Sequence, residues 1–341
     1  MIRAVFSFLT STLTWLLSNK VATGGPSAPA SNRLVSSHGY FAGNLLIERV
    51  AGTWQSSGLS GLGAISDDGL TAAFGAYNAT LGGHVLVYRR PSTSVSFSTV
   101  SPVTLDMPDS TPDGYSVLTP NRIALSGNGN KVVITCNHAD RFVVATGVFT
   151  SSWTLQTFSV VPGTGFFVTG VTLSPTGTRL AIWYNTSLLN LYYTGIPSLP
   201  WEDVGTLSSN SHKSSAWVSD SCLVAATSSN EITVYNRPVA SSSMALSATL
   251  TRTDLGIDPS LQIGVLAVSV DKLLLLQRSN YLLVFSGVST TGTWTLVGRE
   301  DIALGFEYMN IIQASSNMRQ VLAVNNINTP VDPYTAFLFE R

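Results

Sequence analysis

The stretch AISDDGLTAAFGAYNATLGGHVLVYRR, residues 64–90, reads as three short strands joined by turns. Ala64-Ile65-Ser66 leads into an Asp67-Asp68-Gly69 turn, and residues 71–76 form a run of small and apolar side chains. After a Gly82-Gly83 break, Val85, Val87 and Tyr88 lie on a strand that ends in Arg89-Arg90. Asp-Gly between apolar runs is a hairpin signal, because glycine supplies the positive φ that the turn requires.

The chain repeats this unit. Its apolar-apolar-Ser opening returns in Ile123-Ala124-Leu125-Ser126, Val171-Thr172-Leu173-Ser174, Ala216-Trp217-Val218-Ser219, Leu266-Ala267-Val268-Ser269 and Ile311-Ile312-Gln313-Ala314-Ser315. The serines 66, 126, 174, 219, 269 and 315 are separated by 60, 48, 45, 50 and 46 residues. A Pro-, Asp-, Ser- and Thr-rich insertion over 106–120 accounts for the long first step. Behind each serine come a turn and a second apolar run, such as Arg179-Leu180-Ala181-Ile182-Trp183. A third strand with a terminal aromatic follows, as in Ile232-Thr233-Val234-Tyr235, and a fourth often carries tryptophan: Trp54, Trp153, Trp201 and Trp294. Four strands in about 45 residues is the spacing of a β-propeller blade. The expected fold is therefore all-β, a propeller of four-stranded antiparallel blades, and six ordered copies of one cassette argue against a generic sandwich. Because the tryptophans recur at one cassette position, blade packing explains them better than a sugar-stacking platform.

Ser174-Pro175-Thr176-Gly177-Thr178-Arg179-Leu180-Ala181 resembles the S-P-D-G-x-x-L-A turn of TolB-type and WD-repeat-like propellers. Phe74-Gly75-Ala76, with Gly83 and Val85-Leu86-Val87-Tyr88, resembles an FG-GAP repeat of the integrin-type propellers. The likeness covers most of residues 45–341 and implies the fold rather than an activity. Tyr77 replaces the proline of the FG-GAP pattern and no D-x-D-x-D-G loop occurs, so calcium binding does not carry over.

The blade count turns on the termini. The chain ends on a third strand, 334–341, while 44–49 resembles a third strand and 53–56 a fourth. Either Trp54 completes the last blade of a six-bladed ring, or 33–55 is a compressed seventh blade. The first solution leaves 45–49 surplus, so the pattern favours seven.

Composition narrows the class. Charged residues make up 11% of the 341, hydrophobic ones 44%, and the net charge is −1. Disorder of the body is excluded by that hydrophobicity, and no basic footprint for nucleic acid is present. Met1-Ile2-Arg3 followed by an uncharged apolar run to Leu17 has the layout of a secretory signal or anchor over 1–22. Residues 23–31, TGGPSAPAS, read as a linker, leaving 32–341 as the propeller domain. The sequons at Asn78 and Asn185 are placed in inter-strand loops as glycosylation candidates, should the chain be secreted. Cys136 and Cys222 read as buried small hydrophobes on second strands.

Chemistry is sparse. His38, His84, His138 and His212 show no metal-ligand spacing, and no phosphate loop, dinucleotide fingerprint or nucleophile elbow occurs. His138 with Asp140 sits on an expected hairpin tip, more often a solvated turn than a site. Residues 66–71 approach a sialidase-type Asp box but are one residue short. Asp106, Asp109 and Asp113 could converge on a cation, although such clusters are commonly solvated loops. Loops carry function more than frameworks do, so Asp109, Asp113 and Tyr115 are the candidate partner contacts. No cofactor is implied.

The expected function is a non-enzymatic propeller module contacting protein partners or surface glycans. Secretion, envelope or cell-surface tethering, or a virion is the expected setting, with membrane or particle association through the N-terminal segment and no nuclear role. An extracellular propeller enzyme acting on glycans and an intracellular scaffold are the alternatives. The mouth of the central channel should discriminate them: convergent carboxylates, Arg or His would favour the enzyme, an apolar or plugged channel the module.

Overall fold

A computed structural model describes residues 48–50, 63–78, 82–107, 120–136, 141–148, 152–159, 168–184, 189–194, 201–208, 212–237, 243–258, 262–277, 281–301, 309–315, 320–325 and 336–340. These form six four-stranded antiparallel sheets. After β1, Glu48–Val50, come β2 (Gly63–Ile65), β3 (Thr71–Asn78), β4 (Gly82–Arg89) and β5 (Val103–Asp106) of blade 1. Blade 2 is β6 (Pro120–Leu125), β7 (Lys131–Cys136), β8 (Arg141–Val148) and β9 (Ser152–Ser159). Blade 3 is β10 (Val168–Leu173), β11 (Arg179–Tyr184), β12 (Leu189–Tyr193) and β13 (Glu202–Ser208). In blade 4 run β14 (His212–Ser219), β15 (Cys222–Thr227), β16 (Ile232–Asn236) and β17 (Ala245–Leu250). Blade 5 holds β18 (Ile263–Val268), β19 (Lys272–Gln277), β20 (Tyr281–Val288) and β21 (Thr293–Asp301). Blade 6 contains β22 (Met309–Ala314), β23 (Gln320–Asn325) and β24 (Ala336–Glu340).

The first strands pack in cyclic order, β2 on β6, then β10, β14, β18, β22 and back to β2, so the sheets make a closed β-propeller. β1 completes blade 6 by pairing with β24, Glu48 opposite Leu338 and Val50 opposite Ala336. The segment that looked surplus from sequence is thus the fourth strand of the last blade. The described sheets number six, the smaller of the two counts, and no seventh is found among them. Trp54 and the whole of 1–47 lie outside the described residues, as do the expected anchor and linker.

The recurring serine has a physical reason. In blade 1 Ser66 N–H donates to the Thr71 carbonyl and Thr71 N–H returns a bond to Ser66 Oγ, each at 2.9 Å. The same reciprocal pair joins Ser126 with Lys131, Ser174 with Arg179 and Ser315 with Gln320. Each hydroxyl so replaces a ladder bond that the turn interrupts, and all four serines are buried. Blades 4 and 5 use a shorter turn, in which Ser269 N–H reaches the Lys272 carbonyl at 2.9 Å.

The turns also lock one blade to the next. Gly69, Gly129 and Gly177 adopt φ near +70°, and a Cβ on each would meet the residue-five side chain of the preceding blade: Gln320, Thr71 and Lys131 respectively. Lys131 Nζ donates to the Gly177 carbonyl at 2.7 Å and lies over the Trp201 ring, while burial lowers its pKa. Arg179 stacks on Tyr193, and Asp220 of blade 4 accepts bonds from Thr176 and Thr178 of blade 3. Asp68 N–H reaches the Gly127 carbonyl and Gly127 N–H the Pro175 carbonyl, extending the belt across blades 1 to 3.

Between blades lies the core. β11 and β15 are buried at every position because both of their faces meet a neighbouring sheet. Trp153 packs on the cluster between blades 1 and 2, Trp201 on that between blades 2 and 3, and Trp294 between blades 4 and 5. Trp153, Trp201 and Trp294 are thus packing residues, as their recurrence suggested, Trp201 lying just before β13; Trp54 is outside the described residues. Cys222 is buried and unpaired with another cysteine, and burial pushes its thiol pKa up to about 11. Cys136 closes β7, again on a second strand.

Candidate functional site: the central channel

The six first strands surround a cavity of about 190 Å³, with lining from every blade: Gly63, Ile123, Val171, Ala216, Val265 and Ala314. The convergence of strand edges favours small residues at some of these positions, as at Gly63, Ala216 and Ala314, although Ile123, Leu125, Trp183 and Trp217 also line the space. At Gly170 the Trp183 indole occupies the space a Cβ would need.

The charged lining residues among those described are Arg122, at the start of β6, and Asp67, in the first turn. Arg122 Nε donates to the Thr169 carbonyl across the blade 2–3 boundary at 2.9 Å, and burial lowers its pKa. Asp67 lies over Gly127, where a Cβ would stand 2.5 Å from its Oδ2. The neutral polar groups do similar work. Trp217 Nε1 donates to the Thr172 carbonyl between blades 3 and 4, and Ser214 Oγ accepts from Val265 N–H between blades 4 and 5. Arg122, Trp217 and Ser214 thus stitch blades together, while the buried Ser215 Oγ in the same lining has no hydrogen-bond partner among the described residues. No lining residue is a histidine or glutamate, and no cluster of three or more His, Cys, Asp or Glu able to hold a metal occurs among the described residues.

Of the candidates singled out from sequence, Asp106 and Asn78 are described, and neither lines the channel. Asp106 is the exposed last residue of β5, with His84 of β4 opposite it. Asp109, Asp113 and Tyr115, together with His138 and Asp140, lie outside the described residues, although β5 and β6 bracket the insertion where expected. Asn78 is the last residue of β3, paired with Gly82, rather than a loop residue; Asn185 is outside the described set. Arg122 was not singled out, because its position on a first strand carries no local signal.

No protein-family model matches the chain, and no curated protein does. Solved structures match it widely. A protein from Lactobacillus plantarum is 16% identical over 82% of this chain and 80% of its own, with a TM-score of 0.52. A chain of the Mitotic Checkpoint Complex is 12% identical over 94% and 97%, TM-score 0.50, and a luciferin-regenerating enzyme 11% identical over 87% and 95%, TM-score 0.51. The FG-GAP or TolB type is not singled out by these neighbours. At such identities the likeness shows the fold, which hosts binding modules and enzymes alike.

Proposed function

We propose that this propeller is a non-catalytic interaction or assembly module that acts through its outer surfaces, towards protein partners or surface glycans. Its setting on this reading is extracellular, at an envelope or in a viral particle, with residues 1–22 as the address or anchor. The lining of the channel carries the proposal: apolar residues such as Ile123, Val171 and Val265 alternate with polar ones, and of the polar ones Arg122, Trp217 and Ser214 are engaged in holding blades together. General acid–base work on a glycosidic bond calls for two carboxyl groups facing one space. Asp67 is the only described carboxylate in the lining.

The test is turnover. The full chain is incubated with a panel of aryl glycosides beside an Arg122→Ala variant. Release no faster than in buffer is expected from both. Saturable turnover that Arg122→Ala lowers would establish the glycan-enzyme alternative instead.

A further inference from the structure

The six outer strands differ in how they are protected. An outer strand presents unpaired N–H and C=O groups, which proteins normally blunt with charge, bulges or shortness. β1 has three residues and carries Glu48 and Arg49; β5 has four and ends in Asp106. β13 begins with Glu202 and Asp203 and pairs with two register shifts, and β17 is shifted opposite Tyr235. β21 is shifted too and ends in Arg299, Glu300 and Asp301. β9 has none of these devices. Its eight residues, SWTLQTFS, contain no charge and no proline and pair with β8 without a shift from Arg141↔Ser159 to Val148↔Ser152.

The direction of the Leu155 and Thr157 groups that pair with no described strand follows from the ladder. Gly147 N–H bonds to the Asn130 carbonyl on the inner side of β8, so its opposite residue Trp153 is in a non-hydrogen-bonded pair. By alternation, Leu155 and Thr157 turn their N–H and C=O groups to the outer edge of the sheet. Thr154, Gln156 and Thr157 are exposed, while Leu155 is half-buried against the core between blades 1 and 2.

We propose that β9 is an assembly edge, and that its occupant is β9 of a second copy of this chain, added antiparallel about a two-fold axis at Leu155. The inference deepens the module reading above and rests on it. In an antiparallel ladder opposite residues share a face, so a two-fold must centre on one residue rather than between two. Centred at Leu155, it sets that side chain against Leu155 of the partner subunit, an apolar self-pair. It also places Thr154 against Gln156 of the partner subunit, a neutral polar pair. No like charges meet, and a chain of net charge −1 has little long-range repulsion between copies. A second copy also satisfies both edges in one step, whereas a foreign strand would cover a single edge.

The oligomeric state of the full chain tests this by sedimentation equilibrium from 1 to 200 µM. A reversible monomer–dimer equilibrium is expected. The Thr154→Lys/Gln156→Lys variant faces two lysines with two more across the axis, so its dissociation constant should rise at least tenfold with an unchanged melting curve. Thr249→Lys, on the bulged edge of β17, should leave association unchanged. Should the double variant misfold, hydrogen exchange on the unaltered chain decides: the Leu155 and Thr157 amides should gain protection as concentration rises. A monomer at every concentration, a dimer indifferent to the β9 lysines, or an edge that takes only a foreign strand would each overturn the proposal. A monomer that also leaves the glycosides unturned removes this inference alone, whereas Arg122-dependent turnover removes the module reading whatever the oligomeric state.

Discussion

Gly69→Ala probes the joint at which the ring closes. Gly69 sits at φ +68° in the first turn of blade 1, and a Cβ there would fall inside the carboxamide of Gln320, which blade 6 buries. Two costs follow. Holding a non-glycine residue in the left-handed region costs roughly 1–2 kcal/mol. Displacing a buried side chain in a filled interior costs roughly 1–3 kcal/mol more, as overpacking does. The total is then about 2–5 kcal/mol. Gly256→Ala isolates the first cost, since Gly256 has φ +67° with nothing within 4 Å of its added Cβ. Gln320→Ala removes the obstructing carboxamide. In a double-mutant cycle by urea denaturation, Gly69→Ala should exceed Gly256→Ala by about 1–3 kcal/mol and lose that excess in the Gln320→Ala background. If Gly69→Ala costs no more than Gly256→Ala, or the cycle shows no coupling, then the blade 6–blade 1 contact is not the closing joint described here.

Three further outcomes are expected. Trp153→Ala should destabilise by about 2–4 kcal/mol, towards the lower side of large-to-small core changes because the indole is only half-buried, and a loss of binding without a loss of stability would return it to a ligand site. For Cys222 the fold favours the neutral thiol, whose pKa rises from 9.0 to about 11. Its contribution is therefore fully present below pH 9 and lost as pH rises through about 11. At about 1.36 kcal/mol per unit, the stability gap between the wild type and Cys222→Ala should shrink by up to roughly 2–3 kcal/mol between pH 8 and pH 11; a gap independent of pH contradicts this. A chain beginning at Ser31 keeps β1 and should melt with the full chain, whereas one beginning at Gly52 lacks the strand that pairs with β24 and should melt several degrees lower. Equal melting of the two would show that β1 adds nothing to closure.

The repeat was legible in the sequence because its determinants are local. A serine and a returning backbone amide lie within six residues of one another, joined by a turn glycine in three of the four cases, so Ser66, Ser126, Ser174 and Ser315 mark their blades without reference to the rest of the chain. The tryptophans were legible for a like reason, since one cassette position meets one kind of packing environment. The number of blades was not. β1 is three residues long and pairs with a strand at the far end of the chain, and no spacing rule connects Glu48 with Leu338. The channel was equally hidden, because each of its six walls comes from a different blade, and Arg122 gains its place only once β6 and β10 stand side by side. Residues 152–159 can be read as uncharged from the sequence alone. That they form a sheet edge, and one without a bulge, depends on pairings that only the folded ring determines.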